Sequence, residues 1–522
     1  MVRYLENKNS GFGAWAAAQG NKKPRSKLSG FILWLAFFLI AWWAIGIMFD
    51  DGQKKEITIQ SSPETTIINT PKSVVKNDKI AATIQGLRIS NIELNNYNET
   101  KNSDKKITLL NGDNEFTEIG FIGNGTAAPT AETRWKINGE NMNWRNADGV
   151  DFSRKITSTD YVITITDTIK NNSRRDFMII PYARIAQMPR TAAVGVASGT
   201  ISYENEDIER NSWKSSAKKT YTFSSASGWT GFEEQYWETI VAINANDQTI
   251  KTKPLADGRI QAETSAAAIS IPAGKSISVV SNLFAGPKTQ SALSNASGAI
   301  TGINQTIDYG WFWFLARPFL WALNALYAFV LNYGLAIILL TIIIRIFMWP
   351  LTKKSFTGMA AMQKMQPELA RVQKLYAGDK VRLQMEMMRI YKENKASPMS
   401  GCLPMLLQIP IFFALYKALL IAVPLRQADF LWIHDLATMD PYFVLPILMG
   451  LTMWWQQKLQ TGATQKNMDK SDPMAATQKM MKWMPVLFTI MFAWMPSGLV
   501  LYWTISNLFG IGQMLFIKRN AK

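Results

Sequence analysis

Cysteine and histidine are almost absent from this 522-residue sequence, which contains only Cys402 and His434. No internal disulfide can form, and zinc sites built from several Cys or His ligands are excluded. A Ser-His or Cys-His catalytic pair would have to use His434. The sequence also lacks a phosphate-binding loop of the Gly-x-x-x-x-Gly-Lys-Ser/Thr kind, so nothing points to nucleotide hydrolysis. Acidic residues are scarce wherever long apolar runs occur. From Asp50 to Asp308 there are 28 basic and 29 acidic residues, which leaves 28 basic and 10 acidic residues for the rest of the chain. The net charge of +17 therefore lies beside membrane-length apolar runs, the pattern of positive-inside loops, and no nucleic-acid specificity is expected.

Two solvents are implied by what is present. Residues 1–27 form a basic extension expected in the cytoplasm, and 28–49 is an uncharged run long enough to cross about 30 Å of hydrocarbon. It is longer than a signal-peptide core, so a retained first span is expected. From 50 to 308 the pattern changes to short alternating stretches such as Tyr161 to Thr166 and Ile269 to Ile271, separated by Asn-Gly, Asp-Gly and Pro-Ala-Gly turns. Period-two alternation predicts half-buried strands and an exported all-β sandwich, with 50–80 linker-like. Residues 309–327, dense in Trp and Phe around Arg317 and Pro318, predict an interfacial amphipathic helix.

The remaining apolar runs predict spans near 331–351, 403–423, 442–455, 480–494 and 498–517, within a core from 331 to 517 that ends in a basic tail, 518–522. Loop charge supports counting the two short runs. Ten basic and four acidic residues lie between Lys353 and Cys402, and five and two between Lys458 and Lys482, whereas the loop from Leu425 to Pro441 has one Arg and three Asp. Alternating basic and acidic loops fit six spans with both ends inside.

Arg345 is the sharpest single signal, because a cation near a helix centre costs roughly 2.5–3.5 kcal/mol on insertion scales. It either snorkels to the inner interface or faces a water-filled cavity. Gln408, Gln456, Gln457, Trp503, Ser506 and Asn507 lie in other spans and could share such a cavity. Residues 353–402 predict a cytoplasmic helical hairpin. One arm carries Met362, Met365, Leu369 and Val372 at helical spacing, the other Val381, Met385, Met388 and Tyr391. The two stripes would pack on each other, or their methionines would receive varied clients.

Several motifs carry a resemblance that runs from about Asp308 to Ile517: IRIFMWPLTK (344–353), GCLPMLLQIPIF (401–412), LRQA (425–428) with WIHDL (432–436), DPY (440–442) with LPILMG (445–450), and PSGL (496–499). In these the sequence resembles the YidC/Oxa/Alb insertase family, in its bacterial Gram-negative form. In the β region the resemblance is confined to Gly228-Trp229 and Gly286-Pro287. It implies a polytopic α-helical membrane protein: a five-span core enclosing a hydrophilic groove, preceded by an extra span and a periplasmic β-super-sandwich. It places Arg345 in the groove, with Gln457 and Trp503 lining it. It further implies an inner-membrane insertase rather than an enzyme, without cofactor or metal, working on newly made membrane proteins in the lipid bilayer, alone or with a Sec translocon, and with the ribosome. The rival readings are a solute transporter or channel, in which spans would show inverted repeats or intramembrane acids, and a membrane-tethered carbohydrate-binding protein.

Overall fold

A computed structural model describes residues 70–111, 114–123, 128–191, 195–376, 378–394, 403–461 and 473–520. The expected first span at 28–49, most of the linker, Cys402 and the basic tail's last two residues lie outside the described residues.

Residues 72–287 form two facing antiparallel sheets, one of ten strands and one of nine. The strand Val162–Asn171 shows how the alternation works: Ile163, Ile165 and Ile169 are fully buried between the sheets while Thr164, Thr166 and Thr168 lie on the outer face. The linker reading of 50–80 is corrected at its end, because Lys72–Lys76 forms an edge strand paired with Ile80–Gln85. Its alternation (KSVVK) is too short to stand out by pattern, and its lysines suit a sheet edge. At the centre of the sandwich, Arg154 joins the sheets. Its Nε and Nη2 donate to Asp167 on the neighbouring strand at 2.7 and 2.9 Å, and Nη2 also donates to the Ile119 carbonyl of the opposite sheet at 2.9 Å. The glycine of Gly286-Pro287 has a packing reason: a Cβ there would sit 2.7 Å from the Tyr161 ring.

The helical part begins with α1 (Trp313–Val330), which starts four residues later than predicted and ends three residues later. Then come α2 (Tyr333–Phe347), α3 (Trp349–Leu375), α4 (Lys380–Glu393), α5 (Leu403–Ile421), α6 (Val444–Thr461), α7 (Pro473–Phe492) and α8 (Ser497–Asn520). Among the described residues α1 and Ser497–Arg519 are each long and apolar enough to cross a membrane, and α2 with the start of α3 forms a third such stretch bent by 62°. That bend corrects the predicted span 331–351. Pro350, at the start of α3, has no N–H to donate and cannot extend the preceding helix, so the chain turns at Met348.

The loop from Ala422 to Phe443 ties one end of the bundle together. Buried Asp440 accepts from the Leu445 and Tyr442 amides and from the Trp432 indole, capping α6 and fixing the loop at once. Ser497, at the start of α8, donates its hydroxyl to the Thr438 carbonyl at 2.8 Å. The same loop grips the β domain: Arg426 Nη1 donates to the Asn98 carbonyl at 2.7 Å, and Gln427 donates to the Asn98 and Glu99 carbonyls. Lys417 of α5 pairs with Asp308 at 2.6 Å, just before α1. Burial would raise the Asp308 carboxyl, but the Lys417 ammonium overrides it and holds the group below the usual range.

Candidate functional site

Asn332 starts α2, its side chain accepting from the Leu335 amide at 3.0 Å, and an uncharged, largely apolar run follows to Arg345 in the last turn. There the guanidinium meets α8: Nε donates to the Ser506 hydroxyl at 2.8 Å, and Nη2 reaches the same oxygen. Arg345 forms no ion pair among the described residues. The sequence explains why, since no Asp or Glu occurs from Tyr309 to Pro367 or within α5. One hydroxyl cannot neutralise a cation, so the site keeps a positive charge within a helix bundle.

One helical turn from Ser506 on the same face of α8, buried Tyr502 lies near the guanidinium, and its hydroxyl accepts from Gln408 of α5 at 2.6 Å. Further along α8, buried Gln513 donates to the Thr352 hydroxyl of α3 at 2.5 Å. From Tyr502 to Gln513 this polar seam runs about 16 Å at 1.5 Å per residue. The structure thus brings Arg345, Gln408 and Ser506 together, with Tyr502 as the link that the sequence reading missed. The spacing Tyr502, Ser506, Gln513 puts all three on one helical face, which is the signal that could have found them.

Two predicted groove residues face elsewhere. Asn507 donates to Thr452 of α6 at 3.3 Å within a buried contact, an inter-helix hydrogen bond. Trp503 packs edge-on against Phe412 with ring centroids 5.1 Å apart, and also touches Phe488 and Phe492. Gln457 is partly buried on α6. Its neighbour Gln456 lies against Gly510 of α8, where a Cβ would come 2.9 Å from the amide nitrogen.

The hairpin formed by α3 and α4 resolves its two stripes differently. Met365 and Leu369 pack against Ile390 and Tyr391, and Met387 joins them. Val381, Met385 and Met388 point away, with Met385 60% and Met388 50% exposed. The predicted stripe of α4 holds at Tyr391 and is corrected at Val381, Met385 and Met388: the inner face is Met387, Ile390 and Tyr391. Met362 lies on α3 ahead of Met365.

Together these features define a polytopic α-helical membrane protein that carries a large all-β super-sandwich and a cation-bearing polar seam inside its bundle. Family models extend this to the whole described chain: "YidC periplasmic domain" matches residues 72–322 and "60Kd inner membrane protein" matches 325–522. The chain is 34% identical over 500 residues to the membrane protein insertase YidC of Magnetococcus marinus, covering 89% of this chain and 87% of the relative. The Aeromonas hydrophila protein of the same name is 36% identical over 395 residues, 73% and 70% of the two chains. The chain belongs to the YidC family. The β region, where the sequence resemblance rested on two dipeptides, is matched throughout. Among solved structures, a galactose mutarotase-like protein from Lactobacillus casei aligns over 41% of this chain and all of its own, at 11% identity and a TM-score of 0.31, a likeness too small to bear on function.

Proposed function

We propose that this protein is a membrane protein insertase, which moves client transmembrane segments from the cytoplasm into the bacterial inner membrane. Family membership supports the activity, and the observation that carries the mechanism is the unpaired cation of Arg345 in the seam with Ser506, Tyr502 and Gln408. A client's polar segment enters from the cytoplasmic side, where these groups replace part of its lost hydration and lower the barrier. Burial of the client's own apolar span, at about 25 cal/mol per Å² removed from water, then drives release into lipid. No bond is made or broken, so nothing need be hydrolysed. Within the longer helices α6 and α7 the apolar stretches near 442–455 and 480–494 are short, so they thin the bilayer locally and shorten the apolar distance.

In this reading six spans place both termini and the 353–402 hairpin in the cytoplasm and the β domain in the periplasm. The protein works alone or with a Sec translocon, and the ribosome is a further partner. The exposed Met385 and Met388 supply an adaptable client-facing surface, whereas Met365 serves the hairpin's own core.

The test is insertion of a small phage-coat-like client into proteoliposomes containing the purified full chain. Arg345→Lys is expected to retain most activity, Arg345→Ala to fail chiefly for clients with acidic translocated tails, and Arg345→Glu to be worst. Folded Ala and Glu variants that insert an acidic-tailed client as well as the parent would make Arg345 a structural residue and overturn the mechanism.

A further inference from the structure

A second cation is exposed on α1. Arg317 stands between Trp313 and Trp321, each four residues away on the same helical face, and these two rings are 60% and 69% exposed. Phe314, Pro318 and Phe329 continue this uncovered face, while the opposite side, at Ala316, packs on Ala414 and Ala418 of α5. That packing puts Arg317 level with residues three to seven positions inside the outer end of α5, about 4–10 Å below it at 1.5 Å per residue. Arg317 makes no hydrogen bond, ion pair or ring contact among the described residues. No acidic residue lies on α1, α2 or α5 to provide one, and the nearby Asp308 is taken by Lys417. Asp429, Asp435 and Asp440 belong to the outer loop beyond the end of α5.

A bare guanidinium at that depth, flanked by indoles, favours an anion that is itself anchored at the membrane interface. We propose that Trp313, Arg317 and Trp321 form a docking site for the phosphodiester of one outer-leaflet phospholipid. The guanidinium fork grips two phosphate oxygens, the indoles frame the glycerol region, and Phe314 and Phe329 lie along the acyl chains. The site draws a headgroup inward beside α5. It rests on the reading that α1 lies in a membrane.

Full-length protein in mild detergent, titrated with dioleoyl-phosphatidylglycerol or with dioleoylglycerol, which lacks the phosphate, can be examined by native mass spectrometry for retained lipid. The parent and Arg317→Lys are expected to retain one phospholipid, Arg317→Gln to bind it about tenfold more weakly, and none to retain dioleoylglycerol preferentially. Equal retention by parent and Gln variant, or equal binding of dioleoylglycerol, overturns the proposal. A photoreactive benzoylphenylalanine at position 321, with Arg317 intact, serves as the second measurement in vesicles. A phospholipid adduct supports the site, and an intrachain cross-link into residues 28–49 shows that the first span covers this face and refutes it. If α1 were outside the membrane, position 321 would acquire no lipid at all, which separates failure of the membrane reading from failure of the phosphate site.

Discussion

The β domain and the helical bundle treat charge in opposite ways. Within the sandwich, buried charges find partners brought close by the fold: Arg154 with Asp167 and Glu118 with Arg88 and Arg184 on neighbouring strands, and Glu233 with Arg210 and Lys288. Among the described residues the bundle holds Arg345 and Arg317 with no carboxylate, and Lys417 meets Asp308, from the segment joining the two regions, together with the Gly195 carbonyl. A water-soluble domain can balance its own charges, because each desolvated ion then meets an opposite one. A bundle that leaves cations open has them available for something that is not part of the fold. The contrast supports the two proposals that place Arg345 and Arg317 where outside groups are received.

Breaking the self-neutralised side should have the largest effect. Arg154→Ala strands Asp167 between the sheets and is expected to destabilise the β domain by about 3–5 kcal/mol, read by urea-dependent proteolysis of the full chain. Arg154→Met with Asp167→Leu should recover much of that loss, and a single Ala variant as stable as the parent would show that the pair contributes little. In the hairpin the same logic concerns apolar burial. Met365→Ala removes a buried side chain and should loosen α3 against α4 by about 2–3 kcal/mol, seen as faster amide exchange. Met388→Ala, on the exposed face, should change exchange little.

A third test, whose effect is spread over several pH units, sharpens the comparison through pH. Glu238 is buried beside Thr306, which donates to its Oε1, and burial pushes its carboxyl up to about 8. Its proton is held in the folded state and lost in the unfolded one between the ordinary carboxyl value and about 8. Its stabilising contribution is therefore complete in acid, declines as pH rises through that window, and is gone above it. The slope is at most about 1.4 kcal/mol per pH unit. Glu238→Gln should flatten the pH dependence of β-domain stability from about pH 5 to 8, and an unchanged slope would show that Glu238 does not titrate in this range. Glu118 shifts the opposite way: burial would raise it, but Arg184 and Arg88 hold it low, so its contribution is lost only in acid, and comparing parent with variant isolates Glu238.

The division of the chain, the sandwich strands and the existence of the hairpin were legible because each follows from a period along the chain: two for Ile163, Ile165 and Ile169, and three to four for Met365 and Leu369. Arg345 was legible because a charge in an apolar run is costly wherever it lies. What tertiary structure alone decided was which neighbour each of these groups meets. Trp503 and Asn507 share α8 with Ser506, yet face an aromatic cluster and Thr452, since a rotation of about 100° per residue sends adjacent positions to different helices. Tyr502 became the link between Arg345 and Gln408 only when α2, α5 and α8 were packed side by side. The same holds for the α4 stripe, where Met385 and Met388 fit helical spacing as well as Met387 and Ile390 do, and only contact with α3 selected the buried face. Sequence by itself fixed the periodicities and the cost of each charge. The partners are set by long-range packing, because residues such as Arg345 and Ser506, 161 positions apart, have no local signal that joins them.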